Sequence, residues 1–246
     1  MKILGIIPAR YASTRFPGKP LVDINGKSMI RRVYEQASKA SLLDKVIVAT
    51  DDDRIITELQ SFNAPYIRTR SDHQSGTDRC AEVASNFDEY DVIINIQGDE
   101  PYINPRQIEL LASCFRDNPG VQLATLVKKI SDESELFNHN IPKVVLNANG
   151  EALYFSRHPI PFQRAHELSD WAANHQYFKH IGIYGYTRRA LAEITRLPPS
   201  PLELAESLEQ LRWLENGYQI HTRITELETI AIDTPQDLDK IRHFEG

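Results

Sequence analysis

Ile3-Leu4-Gly5-Ile6-Ile7-Pro8 leads directly into Ala9-Arg10-Tyr11-Ala12-Ser13-Thr14-Arg15-Phe16-Pro17-Gly18-Lys19. The first segment is short and apolar, which predicts a buried β-strand. The second combines small residues and turn formers with three cations in ten positions, which predicts a loop. Backbone N–H groups approach a ligand closely beside small side chains, and Arg and Lys add positive charge. Such a loop favours polyphosphate binding, although a solvated basic turn would have the same composition.

The bulk composition is that of a soluble globular protein. The chain has 246 residues, of which 41% are hydrophobic and 25% charged, and its formal net charge is −6. This acidic balance argues against a nucleic-acid partner. Cys80 and Cys114 have no partner at metal-ligand spacing, so we expect buried free thiols rather than a disulfide. With no signal peptide and no membrane-spanning run, we expect a cytoplasmic protein without a membrane partner.

Apolar runs alternate with helical periodicity through the first half of the chain. Strands are predicted over 3–8, 45–50, 65–69 and 91–97, and helices over 27–40, 77–87 and 105–117, with a further helix opened by Asp51 and Asp52. This βαβ alternation predicts an α/β fold with a mostly parallel, doubly wound sheet covered by helices on both faces.

The second half is less regular. We predict strands over 121–128, 143–147, 151–155, 180–186, 218–224 and 228–232, and helices over 187–196, 202–215 and 235–244. Asn147-Ala148-Asn149-Gly150 indicates a hairpin turn, and the irregular stretch 157–179 is typical of a functional loop. No linker or repeat is visible, so we expect one domain over 1–246 with a β-rich insertion.

Two familiar nucleotide-binding motifs are absent. Gly26-Lys27-Ser28 ends like a P-loop, but Leu21 stands where the first glycine of that motif belongs. No GxGxxG follows the first strand, which disfavours a dinucleotide-dependent dehydrogenase.

Two aspartates each follow a predicted strand and are candidate metal ligands. Asp99 ends Val92-Ile93-Ile94-Asn95-Ile96-Gln97-Gly98-Asp99, and Gly98 allows close backbone approach. Asp233 follows Ile232, while Thr234 and Asp237 already supply the cap of the next helix. Carboxylates at the carboxyl edge of a sheet could hold Mg²⁺ together with substrate phosphates. Turn capping by Asp99 and complementation of a helix dipole by Asp233 remain the structural alternatives.

The chain resembles the 3-deoxy-D-manno-octulosonate (Kdo) cytidylyltransferases, also called CMP-Kdo synthetases. The resemblance rests on blocks that run in order along nearly the whole chain: 8–21, 72–79, 97–101, 152–157 with Ile160-Pro161, 180–186, 208–212 and 233–238. It implies a nucleotide-diphospho-sugar transferase fold and a homodimer. The implied reaction converts CTP and Kdo to CMP-Kdo and pyrophosphate for lipopolysaccharide synthesis, and the implied cofactor is Mg²⁺.

The resemblance also assigns residues to roles. The catalytic set would be Arg10, Lys19, Asp99 and Asp233, with Asp99 and Asp233 as metal ligands. The nucleotide would contact Ala9, Arg10, Ser13, Arg15, Lys19, Gln74, Ser75, Gly76 and Arg79. The sugar would contact Gln97, Arg157, His180, Tyr184, Glu209 and Gln210, with Arg157 suited to its carboxylate. Nucleotide binding would occupy about 1–117, and sugar binding and dimerisation about 118–225.

Several alternatives stay open at this stage. The acceptor could be an amino-substituted Kdo analogue or a neuraminic acid, because a few contacts retune a polar pocket. A non-catalytic nucleotide-binding module could keep the same fold. No residue is assigned as general base. The chain also has no glycine directly before Asp233, and loop 162–178 matches no motif.

Overall fold

The computed structural model describes residues 1–12, 16–228 and 230–241. Within them the strands are β1 (Ile3–Ala9), β2 (Asp23–Ile24), β3 (Lys27–Ser28), β4 (Lys45–Thr50), β5 (Tyr66–Arg68), β6 (Val92–Asn95), β7 (Leu123–Lys129), β8 (Lys143–Leu146), β9 (Ala152–Ser156), β10 (Phe178–Thr187) and β11 (Ile220–Ile224). The helices are α1 (Met29–Ala37), α2 (Asp53–Ser61), α3 (Gly76–Ala84), α4 (Pro105–Asp117), α5 (Glu133–Leu136), α6 (Trp171–Asn174), α7 (Arg188–Ile194), α8 (Pro201–Glu206) and α9 (Gln210–Glu215). Short 3₁₀ helices cover Lys19–Leu21, Leu168–Asp170 and Pro235–Lys240.

The main sheet is mostly parallel. Its order is β11-β7-β10-β6-β1-β4-β5, and every neighbouring pair is parallel except the two that β10 makes. β8 pairs antiparallel with β10 and with β9, so the β-rich insertion joins the same sheet as a side branch at β10. The predicted α/β class is therefore confirmed, with β10 as the antiparallel element.

The sheet is buried on both faces. Alternate residues of β1 enter different hydrophobic clusters, with Ile3 and Ile7 on one side and Leu4 and Ile6 on the other. A strand covered twice carries apolar residues at consecutive positions, which explains the continuous run at the start of the chain. Cys80 and Cys114 are buried free thiols, as expected.

The segment after α7 departs from the sequence prediction. The expected helix 202–215 is two helices, α8 and α9, because Ser207 between them takes a left-handed conformation with φ 52°. Leu208 and Leu211 are buried as expected, but Leu204 is 69% exposed.

The C-terminal predictions also change. Glu228 and the described residues 230–232 lie outside any strand, so the predicted strand 228–232 is wrong for them. There the Ile232 amide donates to the Asp99 carbonyl oxygen at 2.9 Å, which ties this segment to the loop after β6. The predicted helix 235–244 is a 3₁₀ helix over Pro235–Lys240, and residues 242–246 lie outside the described chain.

Most other predicted elements are confirmed. The helix predicted over 105–117 matches α4, and the predicted turn after Leu146 closes the β8–β9 hairpin with Gly150 at φ +76°. The long stretch 157–179 holds two short helical turns around the buried Trp171. No helix in the described ranges is long and apolar enough to cross a membrane.

Candidate active site

An ammonium group lies between the two candidate aspartates. Lys19 Nζ is 2.7 Å from Asp99 Oδ2 and 3.5 Å from Asp233 Oδ1. The three residues are remote in sequence: Lys19 begins the first 3₁₀ helix, Asp99 follows β6, and Asp233 precedes the last 3₁₀ helix. The structure therefore brings together, at the carboxyl edge of the sheet, the lysine and both carboxylates that the sequence singled out.

Local backbone geometry sets the position of each group. Gly18, at φ 74°, turns the chain into the short helix that begins at Lys19. Gly98 lies against β1, since a Cβ there would be 2.8 Å from the Pro8 carbonyl oxygen. Close approach of these two strand ends brings Asp99 next to the cationic loop.

Asp233 owes its position to the cap that follows it. Thr234 is the N-cap of the terminal 3₁₀ helix, and Asp237 Oδ2 accepts hydrogen bonds from the amides of Asp233 and Thr234. Asp237 satisfies these amides, and the Asp233 carboxylate faces Lys19. The capping arrangement predicted from the sequence is confirmed.

One cavity at this edge collects most of the predicted nucleotide-binding residues. It has a volume of about 260 Å³ and is lined by Pro8, Ala9, Arg10, Lys19, Pro20, His73, Gln74, Ser75, Gly76, Arg79, Gln97, Gly98, Asp99 and Asp233. Ser13 and Arg15 lie outside the described residues. The cavity combines cationic side chains with the start of α3, whose first-turn N–H groups carry partial positive charge.

Arg79 is fixed at the base of this cavity. Its guanidinium is buried, contacts Thr69 Oγ1 and lies 2.9 Å from Asp51 Oδ1. Ser75 begins α3 with a capping box to Asp78. A held guanidinium beside a rigid helix start can read the polar edge of a base, because its donors have a defined direction.

A second, larger cavity adjoins the first. Its volume is about 670 Å³, and the predicted sugar-binding residues Gln97, His180, Tyr184, Glu209 and Gln210 line it. Gln97 and Asp99 belong to both cavities. Two ligands bound in the two cavities would therefore meet at Asp99.

Burial controls the protonation of the groups in the second cavity. Desolvation lowers the pKa of His180 to about 3, and Thr125 Oγ1 lies 2.9 Å from its Nε2. Burial also raises the pKa of Tyr184 well above its usual value. Both side chains are therefore neutral hydrogen-bonding groups at physiological pH, which suits recognition of sugar hydroxyls.

Glu209 connects the two cavities. Its Oε2 accepts a 2.7 Å hydrogen bond from Thr77 Oγ1 of α3, while the residue itself lines the second cavity. Burial raises the pKa of this carboxyl group, and the hydrogen bond from Thr77 opposes that rise. The neighbouring Gln210 is buried, and its Nε2 has no hydrogen-bond partner within the described chain. It is a donor that a ligand in this cavity could satisfy.

Arg157 is the predicted sugar-binding residue that the structure does not bring into either cavity. Its guanidinium donates to the carbonyl oxygens of His139, Glu206 and Ser207, at 2.7–3.2 Å. These bonds direct the side chain toward the backbone around the second cavity.

Sequence reasoning missed an ionic cluster at the second cavity. The buried Lys179 Nζ lies 2.5 Å from Glu135 Oε1 and 2.8 Å from Glu228 Oε1, and all three residues line the cavity. Lys179 precedes His180 on the same strand, but its burial depends on α5 and on the segment after β11. Only tertiary contacts could reveal it.

The donor set is compatible with a divalent cation. Asp99 and Asp233 are oxygen ligands, and the ammonium between them demonstrates that the pair can hold a positive charge. Within the described residues, this site included, no group of three or more His, Cys, Asp or Glu side chains is arranged to hold a metal. One or two carboxylates completed by substrate phosphates and water is the usual coordination of Mg²⁺.

Comparison with known proteins shows that the chain is a nucleotidyltransferase and gives its family. Residues 4–242 match the family model described as cytidylyltransferase, so the chain belongs to the cytidylyltransferase family. A 3-deoxy-manno-octulosonate cytidylyltransferase of Cytophaga hutchinsonii is 58% identical over 245 residues, covering 99% of this chain and 97% of the relative. The enzyme of the same name from Parabacteroides distasonis is also 58% identical, over 249 residues.

A solved structure agrees with these relatives. A CMP:2-keto-3-deoxy-manno-octonic acid synthetase complexed with CTP superposes with a TM-score of 0.92 at 46% identity, covering 98% of this chain and 97% of the other. A cytidylyltransferase from Leptospira borgpetersenii, at 17% identity and a TM-score of 0.65, shares the fold. The predicted nucleotide-diphospho-sugar transferase architecture is thereby confirmed.

Proposed function

We propose that this chain transfers CMP from CTP to the anomeric hydroxyl of Kdo and releases pyrophosphate. The observation that carries the proposal is the pair of adjoining cavities that share Gln97 and Asp99. One is lined by a cationic loop and a helix start, and the other by neutral polar side chains. In the reaction the anomeric oxygen forms a bond to the α-phosphorus, the bond from that phosphorus to the bridging oxygen of pyrophosphate breaks, and the hydroxyl proton passes to solvent.

The first cavity supports a role for its residues in nucleotide binding. Arg10 and Lys19 would hold the triphosphate, and we assign Ser13 and Arg15 to the same loop on the resemblance alone. Ala9, Gln74, Ser75, Gly76 and Arg79 would surround ribose and cytosine. Phosphoryl transfer depends chiefly on positioning and neutralisation of charge, which this set of groups provides.

Asp99 and Asp233 would hold Mg²⁺, which supplies Lewis acidity at the reacting oxygens when bound. Lys19 would then direct its ammonium to the phosphates. Gln97, His180, Tyr184, Glu209 and Gln210 would orient the sugar hydroxyls. None of these side chains is required as a separate general base, so that role is left unassigned.

The decisive experiment measures pyrophosphate release by the purified protein with CTP, Mg²⁺ and Kdo. Parallel reactions omit the sugar, omit Mg²⁺ or replace CTP with UTP. We expect release that requires CTP, Kdo and Mg²⁺ together. Release with a neuraminic acid or an amino-substituted analogue, but not with Kdo, would reassign the acceptor.

Asp99→Asn provides the matched variant, since it keeps the shape of the side chain and removes its charge. We expect Mg²⁺-dependent turnover to fall below detection while the protein stays folded. A near-normal rate would remove Asp99 from the metal site.

We further propose a cytoplasmic homodimer that functions in lipopolysaccharide synthesis. The resemblance supports the dimer, and exposed Leu153 and Leu204 offer apolar surface in the 118–225 part. Most residues of the larger cavity also come from this part, which supports its assignment to sugar binding. Light scattering coupled to size exclusion measures the mass, and 28.1 kDa would indicate a monomer instead.

A further inference from the structure

Two basic side chains, Lys143 and Arg157, lie beside the second, larger cavity, which we call the acceptor cavity because we assign the sugar to it. Both hydrogen-bond to backbone carbonyl oxygens rather than to a carboxylate. Lys143 on β8 is fully buried, and Arg157 directly follows β9. Within the described chain, neither side chain forms a salt bridge; both donate to main-chain carbonyl oxygens. A buried cation without an ionic partner is costly, so its placement calls for a specific explanation.

Lys143 holds the turn that precedes its own strand. Its Nζ donates to the Asn138 carbonyl oxygen at 2.9 Å and to the Ile141 carbonyl oxygen at 2.6 Å. The neighbouring residues Asn140, Ile141 and Pro142 line the acceptor cavity. We call 138–142 the first wall segment.

Arg157 connects this wall segment to another. Its Nη1 donates to the His139 carbonyl oxygen at 3.1 Å. Its Nε donates to Glu206 at 2.7 Å and its Nη2 to Ser207 at 3.2 Å, both at carbonyl oxygens. Residues 206–210 form the second wall segment, in which Ser207 to Gln210 line the cavity.

The second segment needs such a donor. Glu206 ends α8 and Ser207 takes a left-handed conformation, so carbonyl oxygens at this helix end require partners outside the helix. A planar guanidinium can reach several oxygens at once and also complements the negative end of a helix. The Glu206 carboxylate accepts from Ser156 Oγ and from the Arg157 amide, which fixes α8 to β9.

We propose that Arg157 and Lys143 are positioning residues that hold the two wall segments of the acceptor cavity at the spacing the sugar acid requires. Arg157 acts through the backbone and does not contact the sugar carboxylate. This inference rests on the proposed function, because the affinity for Kdo is its first measure.

The charges around Lys143 agree with this arrangement. Burial and, to a smaller extent, the charge of Arg157 lower the pKa of Lys143 to about 8, while the charge of Glu206 opposes the change. Lys143 still carries its charge at neutral pH, where its two hydrogen bonds to carbonyl oxygens are charge-assisted.

The test compares Arg157→Lys, Arg157→Gln and Lys143→Met, with Arg164→Lys and Lys129→Met as controls at exposed positions. We expect all three test variants to raise KM for Kdo about tenfold, with KM for CTP and kcat changed less than about twofold. Lysine at 157 should be no better than glutamine, since one ammonium cannot reach three carbonyl oxygens. The controls should match the parent protein.

A different result at 157 would overturn the inference. If Arg157→Lys preserves the affinity for Kdo and Arg157→Gln abolishes it, the positive charge at position 157 binds the sugar carboxylate directly. Unchanged KM for Kdo in all three variants would exclude any role.

Hydrogen exchange of the nucleotide-free protein provides a readout independent of turnover. We expect faster exchange over 138–142 and 206–210 in the test variants, and unchanged exchange in α4. Absence of turnover in the parent protein would overturn the proposed function, whereas unchanged exchange in these segments would overturn the positioning role.

Discussion

At the scale of single residues, Lys19 lies between the two carboxylates that we propose as ligands of the divalent cation. Its ammonium lies near both Asp99 and Asp233, so its positive charge offsets part of the repulsion between these two carboxylates. Asp99 and Asp233 would hold the proposed metal ion, and we expect it to compete with this ammonium for them, whereas the phosphates of bound CTP would offer the ammonium other partners. Metal affinity and nucleotide binding should therefore be coupled through this side chain.

Lys19→Met tests that coupling. We expect the nucleotide-free variant to bind Mn²⁺ several-fold more tightly than the parent protein, because no ammonium competes for the carboxylates. Titration with Mn²⁺, monitored by electron paramagnetic resonance, measures the affinity directly. Asp99→Asn is the control variant, which should lose Mn²⁺ binding. Turnover should fall by about 10²–10³ because charge at the phosphates is no longer neutralised. Equal Mn²⁺ affinity in variant and parent would refute competition.

His180 gives a prediction about pH. Its pKa is lowered to about 3 in the folded protein, while the unfolded chain has the usual value of about 6.5. Between these values the unfolded state binds more protons, so stability falls as the pH drops from 6.5 toward 3. We expect His180→Gln to reduce the slope of the free energy of unfolding against pH in this range. Urea unfolding at a series of pH values measures that slope. His158→Gln, at an exposed position, is the control; equal slopes would contradict the assignment.

At the scale of elements, two glycines mark where segments pack too closely for a side chain. A Cβ at Gly98 would lie 2.8 Å from the Pro8 carbonyl oxygen, next to the site. A Cβ at Gly185 of β10 would lie 2.6 Å from Phe115 on α4, within the core. The same substitution should therefore have different consequences at the two positions.

We expect Gly98→Ala to lower kcat at least tenfold, because Asp99 must shift when the strand ends separate. Gly185→Ala should instead destabilise the fold by about 1–3 kcal/mol, as overpacked cores do, with kcat largely retained. Steady-state kinetics and chemical unfolding distinguish the two outcomes. If both variants lose only stability, the close approach at Gly98 has no catalytic purpose.

At the scale of the whole molecule, the smaller cavity, to which we assign the nucleotide, is lined by distant parts of the chain. Its lining comes from the loop after β1, the start of α3, the loop after β6 and the segment before the terminal 3₁₀ helix. A ligand that bridges these parts stabilises only the folded state, so binding should raise the melting temperature.

We expect CTP with Mg²⁺, at about one hundred times Kd, to stabilise the protein by about 2.7 kcal/mol. For a chain of this size that corresponds to a rise in melting temperature of roughly 5–10 °C. Differential scanning fluorimetry measures it, and UTP at the same concentration should give a smaller rise. An equal rise with UTP would mean that Arg79 and its neighbours do not select cytosine.

Sequence and structure agree most closely where local chemistry is sufficient. Continuous apolar runs predicted the doubly covered strands, and Thr234 with Asp237 predicted the terminal cap. The predicted helix 202–215 failed because one left-handed serine divides it, and no local pattern requires that conformation at Ser207. The predicted strand 228–232 failed because the backbone of Ile232 bonds to the loop at Asp99 rather than to a neighbouring strand.

By itself the sequence determined the α/β class, the cationic loop, the two strand-end aspartates and the family resemblance, since these depend on periodicity and on local residue order. Only the tertiary structure decided that Lys19 lies between those aspartates, that Lys179 is buried among glutamates and that Arg157 binds backbone carbonyls. Such contacts join residues far apart along the chain. Their distances, burial and electrostatics arise when the sheet and its loops pack, so no local pattern contains them.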